Sequence, residues 1–378
     1  MANMAGIYFH IPFCRKACHY CDFHFTTSGK YVEEMVDAQL KEMDKRRDYV
    51  SGEILETIYF GGGTPSVLTG DQLKKYFGKM EELFEISPNA EITLEANPDD
   101  LSADQVRLFR EIGINRLSIG VQSFREEDLI FMNRSHRASQ SERAVKSAQD
   151  AGIENITIDL IYAIPGLDLS AWQENLRQAI ALDVPHISSY CLTIEEKTVF
   201  GKRYERGELS EIDSARAEEQ FLCAVDVLGA AGLKQYEVSN FSREGMESKH
   251  NTSYWQGKKY LGIGPSAHSF NGEERSWNVS NNAVYMKGVF ADKPSFEFEK
   301  LDDRTRYNEY IMTGLRTTKG IDINEISDRF GVSFVKQNEE KISLWMDRGK
   351  LNQKDHIFTL SQSGFLWADR ISSDFFIV

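Results

Sequence analysis

The 378-residue sequence has no apolar run approaching the ~20 residues that a membrane span needs, so no integral span is expected. It also lacks a basic segment followed by an apolar stretch near its start. No secretory signal is readable there, and a cytoplasmic location is expected. Basic charge is short as well: 44 Lys and Arg stand against 58 Asp and Glu, a formal net charge of −14. A surface of that sign repels phosphate backbones, which argues against nucleic acid as a partner. Cysteine is scarce, with five residues at 14, 18, 21, 191 and 223. An odd, clustered set of this kind is poor material for a disulfide framework. What remains is a globular composition, 41% hydrophobic and 27% charged. The length fits two domains, or one large barrel with an appendage.

Short β-type runs recur at 6–11, 57–60, 91–95, 116–121, 155–162 and 186–192. Amphipathic segments at 32–45, 71–84, 102–112, 139–151 and 170–182 lie between them. Ser102 reads as an N-cap, and Gly113 and Gly152 fall just past helix ends. The strand runs are rich in Ile, Leu, Val and Tyr rather than strictly alternating, which predicts a parallel sheet buried on both faces. Six βα units predict an α/β fold, a partial (β/α)6 barrel of the TIM type, in preference to an open doubly wound sheet. Uncommon residues gather at the strand ends: Cys14 after the first strand, Gly61-Gly62-Gly63-Thr64-Pro65 after the second, Glu95 and Asn97 at the third. Gln122 closes the fourth, and Asp159 and Tyr190 belong to the fifth and sixth. The C-terminal ends of barrel strands form the active face, so these residues predict one site.

Beyond about residue 205 the pattern changes to a helical run at 214–231 and then a Gly-, Asn- and aromatic-rich stretch at 245–282. Helices near 304–316, 324–330 and 333–348 precede a hairpin at 351–360, an order that predicts a small winged-helix-like module. Residues 301–378 carry 11 Lys and Arg against 12 Asp and Glu, so the module lacks the basic face of a DNA reader. The expected division is a barrel over 1–232, a connecting region over 233–300 and the C-terminal module over 301–378.

The spacing Cys14-x-x-x-Cys18-x-x-Cys21 places three thiolates in one short loop. Three cysteines can hold three irons of a [4Fe–4S] cluster and leave the fourth iron open. A zinc knuckle, with His19, His24 or Asp22 as fourth ligand, is the competing reading, and it would make the chain a non-redox zinc-binding barrel. Cys191 and Cys223 are expected to be buried small hydrophobes.

The cysteine spacing after the first strand, joined to GGGTP after the second, resembles the radical S-adenosylmethionine (SAM) superfamily. That resemblance implies a cluster whose open iron binds the SAM amino and carboxylate groups, and an electron donor that feeds it. Reductive cleavage of the sulfonium then gives a 5′-deoxyadenosyl radical. The segments Tyr8-x-His10-Ile11-Pro12-Phe13-Cys14, Leu94-Glu95-Ala96-Asn97-Pro98, Ser118-Ile119-Gly120-Val121-Gln122-Ser123-Phe124, Asn133-Arg134 and Asp159-Leu160-Ile161-Tyr162 sharpen it. They are similar to the branch that holds the oxygen-independent coproporphyrinogen oxidases and the HemW-type heme chaperones. By that likeness Tyr8, Tyr20, Gly62, Gly63, Thr64, Glu95, Gln122, Arg134 and Asp159 would contact SAM. Glu95 would meet its ammonium or adenosyl part, Asp159 the ribose hydroxyls, and Arg134 the carboxylate.

Two departures separate the chain from the oxidases of this branch. Those carry a further cysteine two residues after the third, where this chain has Phe23, and an N-terminal extension, where this chain has 13 residues before Cys14. Both imply a chaperone, with heme and apo-hemoprotein acceptors as partners, and porphyrinogen decarboxylation is not expected. The element His250-Asn251-x-x-Tyr254-Trp255 matches the HNxxYW motif associated with heme in the chaperones. Histidine or tyrosine can donate to heme iron, and aromatic rings suit the flat macrocycle. A second glycine group, Gly262-Ile263-Gly264-Pro265-Ser266-Ala267-His268-Ser269, lacks the strand–helix setting of a dinucleotide site. Packing is the default role for its His268, with the adenosyl group or heme as the alternatives.

Overall fold

The structure, a computed structural model, describes residues 4–293 and 296–377. Its centre is a parallel sheet of β1 (Met4–Ile11), β2 (Ile54–Gly62), β3 (Ile86–Ala96), β4 (Arg116–Gln122), β5 (Asn155–Tyr162) and β6 (His186–Cys191), paired in that order. The intervening helices are α1 (Val32–Lys45), α2 (Gly70–Leu83), α3 (Ala103–Ile112), α4 (Glu126–Phe131), α5 (Ala138–Asp150) and α6 (Leu169–Ala181), followed after β6 by α7 (Val199–Glu205) and α8 (Ser214–Ala230). Together they make the partial (β/α)6 barrel.

Local chemistry sets the helix limits. Thr69 and Gln72 form a reciprocal capping box on α2, and the side chains of Ser102 and Asp168 cap α3 and α6. Gly113 ends α3 at φ 116°, a conformation that costs other residues strain.

The strands alternate more strictly than the sequence reading held. Phe9 and Phe60 point outward and meet Tyr76 of α2 at ring-centroid distances of 5.0 and 5.5 Å. The inward positions are polar: Tyr8 and His10, Thr57 and Tyr59, Glu91 and Glu95, Arg116 and Ser118, Thr157 and Asp159, His186 and Ser188. The outer face is apolar because helices cover it, whereas the inner positions find polar partners across the barrel.

The stretch read as a connector supplies six more strands to the same sheet. These are β7 (Lys234–Gln235), β8 (Asn240–Ser242), β9 (Lys259–Ile263), β10 (His268–Phe270), β11 (Glu274–Asn278) and β12 (Phe296–Lys300), with α9 (Lys249–Trp255) and α10 (Asn282–Phe290) among them. Strand β9 runs parallel to β1, β10–β12 continue antiparallel beyond it, and β8 and β7 extend the far edge past β6.

The C-terminal helices are α11 (Asp303–Leu315), α12 (Ile323–Phe330), α13 (Phe334–Asp347) and α14 (Ala368–Asp374). They surround a sheet of β13 (Ile321–Asp322), β14 (Leu351–Lys354) and β15 (Ile357–Leu360). Phe334 meets Phe358 and Phe375 at 5.5 and 5.1 Å in its own small core.

The two outlying cysteines are not buried as expected. Cys191 ends β6 at the open mouth and is exposed, and Cys223 on α8 is only half-buried. Among the described residues no helix is long and apolar enough to cross a membrane.

Candidate functional site

The cysteine loop leaves β1 and is strapped down before it can wander. Cys14 N–H donates to Thr26 O at 3.0 Å, and Thr26 N–H returns to Pro12 O at 2.8 Å. His19 N–H reaches Met132 O, and the Asn133 amide donates to Ala17 O at 2.7 Å. Asn133 itself sits at φ 57° just past α4, which turns the next residue, Arg134, toward the thiols. Arg134 Nη1 lies 3.3 Å from both Cys18 Sγ and Tyr20 Oη, while Nη2 donates to Asn97 Oδ1 at 2.6 Å and Gly120 O at 2.8 Å. Thr64 Oγ1 donates to Cys14 Sγ at 3.4 Å. Burial pushes the Cys14 thiol up and the Cys21 thiol up to about 12, aided by the neighbouring thiolates.

Beside this loop the Gly-rich turn admits close approach. Gly62 has φ 105°, and a Cβ there would come within 2.6 Å of His10 Nδ1; one on Gly63 would come within 2.7 Å of Ile11 O. Glu95 accepts from Tyr59 Oη at 2.8 Å and from Gly62 N–H at 3.2 Å. Burial first, and then the charge of Asp159, raises the Glu95 carboxyl to about 7, and burial raises Asp159 to about 6. Gln122 closes β4 in the left-handed region at φ 67°, where a non-glycine residue stores strain. Tyr8 Oη lies 3.1 Å from His10 Nδ1, and His10 Nε2 donates to His24 O at 2.8 Å. Burial holds His10 neutral, with its pKa lowered to about 4.

The mouth therefore gathers every sequence-predicted residue from Tyr8 to Asp159. It combines three thiols, a guanidinium with no acid partner among the described residues, and two carboxyls whose pKa values burial raises.

The HNxxYW residues divide. They lie on α9, and His250 is turned into the barrel and buried. Its Nδ1 lies 2.8 Å from Thr57 Oγ1 and its Nε2 2.8 Å from Tyr254 Oη, so both ring nitrogens are engaged. Burial lowers its pKa to about 3. Asn251 spends its backbone N–H on Ser248 Oγ in the first turn. Tyr254 and Trp255 instead line a cavity of about 1500 Å³. That cavity runs from the cysteine loop (Asp22, Phe23, His24) past Tyr8, Tyr260 and Phe270 to Tyr310 on α11. Phe23 is 68% exposed, an unusual state for a phenylalanine at a cavity wall.

Sequence reasoning missed the floor beneath. Arg116 lies 3.8 Å from Glu91 and donates to Thr157 Oγ1, and Thr157 meets His186 Nδ1 at 3.0 Å. Glu91 accepts from the backbone N–H of Lys249 and His250 at 3.1 and 3.0 Å, which fastens α9 to β3. The one available signal was the alternation of polar residues along the strands, with Gly6 opposite Thr57. A Cβ on Gly6 would fall within 2.6 Å of Thr57 Oγ1 and crowd the His250 ring.

Among the described residues no three His, Cys, Asp or Glu side chains form a group that could hold a single metal ion. His19 Nδ1 donates to Phe131 O and His24 Nε2 meets Asn282 Oδ1, so two of the three proposed zinc partners each have one ring nitrogen engaged. A [4Fe–4S] cluster asks less convergence, because each thiolate binds a different iron.

The chain resembles known proteins in sequence and in fold. Residues 8–179 match the family model of the radical SAM superfamily, and residues 301–367 match that of the HemN C-terminal domain. The heme chaperone HemW of Bacillus subtilis is 33% identical over 376 residues, covering 98% of this chain and 99% of that protein. The heme chaperone HemW of Lactococcus lactis is 34% identical over 366 residues, 95% of each. That of Escherichia coli is 38% identical over 265 residues, 70% of this chain and 69% of the other. The structure of the Escherichia coli coproporphyrinogen III oxidase HemN, a radical SAM enzyme, covers 99% of this chain and 90% of its own at a TM-score of 0.86 and 20% identity. At that identity the likeness is one of fold.

Proposed function

Because the chain belongs to the HemW heme-chaperone family of the radical SAM superfamily, we propose that it binds heme and passes it to apo-hemoprotein acceptors. The observation that carries this reading is the cavity of about 1500 Å³, whose aromatic walls join the HNxxYW helix to the cysteine loop. A flat macrocycle finds stacking surfaces there in Tyr254, Trp255, Tyr260 and Phe270.

Cys14, Cys18 and Cys21 would hold a [4Fe–4S] cluster, and Tyr8, Tyr20, Gly62, Gly63, Thr64, Glu95, Gln122, Arg134 and Asp159 would hold SAM. The donors fit these groups: among the described residues Arg134 Nε has no hydrogen-bond partner and would meet a carboxylate, and Glu95 and Asp159 would gain a cation beside them. When bound, the cluster supplies the electron that can cleave a sulfonium. The protein's own part is to orient the ligand on the Gly62–Gly63 backbone and to keep water from it. We assign the barrel to 1–232, the connecting strands to 233–300 and the winged-helix-like module to 301–378. The reading places the protein in the cytoplasm, with an external electron donor.

Anaerobic reconstitution followed by hemin titration, with and without SAM, tests the proposal. Saturable hemin binding and transfer to an apo-hemoprotein are expected, and mass spectrometry should find no protoporphyrinogen formed from coproporphyrinogen. Useful turnover of coproporphyrinogen without heme transfer would replace this reading with the oxidase.

A further inference from the structure

We infer that His268, rather than His250, donates the imidazole nitrogen to heme iron in this cavity, an inference that rests on the heme-binding reading above. A donor to iron needs a free lone pair facing the ligand. His250 has neither, since Thr57 and Tyr254 occupy its two ring nitrogens beneath the sheet.

Each of the remaining histidines other than His268 spends at least one ring nitrogen on a neighbour. His10 binds Tyr8 and His24, His19 binds Phe131 O, and His24 binds Asn282. His136 binds Val121 O, His186 binds Thr157 and Tyr236, and His356 faces Asp322 at 3.4 Å. Among the described residues His268 alone has a ring without a hydrogen-bond or ion-pair partner. It is exposed, and the surface it meets is the cavity wall.

The sheet explains its direction. Tyr260 of β9 pairs in register with Gly6 of β1 and with Phe270 of β10. Side chains alternate along a strand, so His268, two residues before Phe270, shares the inner face with Tyr260 and Tyr8. Trp277 pairs with His268 across β10 and β11, and its ring stacks on the imidazole at 5.9 Å and 27°. The stack fixes the ring plane before any ligand arrives. Although its ring is open to the cavity, the protein packed around it and the nearby Arg275 guanidinium lower the His268 pKa, which favours the neutral, donating form. Lys319 lines the same cavity with no acid partner among the described residues, a ready contact for a propionate.

The test compares hemin with metal-free protoporphyrin IX, which offers the same flat faces and propionates but no iron. Both are titrated into the full-length reconstituted protein as wild type, His268→Gly and His250→Gln. His268→Gly should weaken hemin binding about tenfold or more and leave protoporphyrin IX affinity unchanged. Added imidazole should restore the wild-type Soret band and ferric electron-paramagnetic signature in His268→Gly. His250→Gln should keep that signature. An unchanged hemin spectrum in His268→Gly, or equal loss of both porphyrins without imidazole rescue, would overturn the assignment. A wild-type protein that binds neither porphyrin would instead remove the heme-binding reading itself.

Discussion

At the floor of the barrel Arg116 lies 3.8 Å from Glu91, with both side chains almost fully buried. At the mouth, on the same inner face, Arg134 donates to a thiol, a phenol, an amide and a carbonyl but meets no carboxylate among the described residues. The carboxyls differ in the same way. Glu91 accepts two backbone N–H groups from α9 beside its arginine, whereas Glu95 and Asp159 are raised toward neutral pH by burial. Buried polar groups that close on one another build structure. Those left open, at a strained residue such as Gln122 and a turn that excludes any Cβ, mark where a ligand belongs.

Arg116→Ala offers the sharpest test of this contrast. It strands Glu91 beneath the sheet and should cost about 3–5 kcal/mol in urea unfolding. Arg134→Ala, which breaks no ion pair, should cost clearly less and act on SAM binding instead. Equal destabilisation by the two would abolish the distinction between floor and mouth.

Glu95→Gln tests the open carboxyl through pH. A carboxyl raised to about 7 in the fold disfavours the folded state once it must ionise. That penalty is absent at low pH, grows above the ordinary carboxylate range, and is complete above about 7. The ligand-free variant should therefore gain stability relative to wild type between pH 5 and pH 8, on the order of 1–3 kcal/mol, by thermal or urea melts. A difference that shrinks as pH rises would contradict the raised carboxyl. Thr57→Val should have the smallest effect, about 1–2 kcal/mol from the unpaired His250 nitrogen. Calorimetry should find hemin affinity nearly unchanged if His250 only positions α9.

Much of the fold was legible locally. The fifth strand, 155–162, and the first helix, 32–45, were read at their observed limits, because apolar periodicity is a property of neighbouring residues. The cysteine loop, the Gly-rich turn and Glu95 stood out at strand ends, and Arg134 was named from the family resemblance; the structure brings them together at one mouth. The floor was not. Thr57 and His250 are 193 residues apart, and Glu91 and His250 159 apart, so no local pattern announces their contact. Nor could the sequence reveal that 233–300 continues the barrel sheet, because β7 and β8 are only two and three residues long.

The sequence by itself determined the parallel α/β core, the thiol loop at its mouth and the net charge of −14, since each follows from residue type and spacing. Only the tertiary structure decided which histidine is free. His250 carries the recognisable motif, yet the long-range pairs with Thr57 and Tyr254 consume its ring. His268 is free because the register of β9, β10 and β11 turns it into the cavity and stacks it on Trp277.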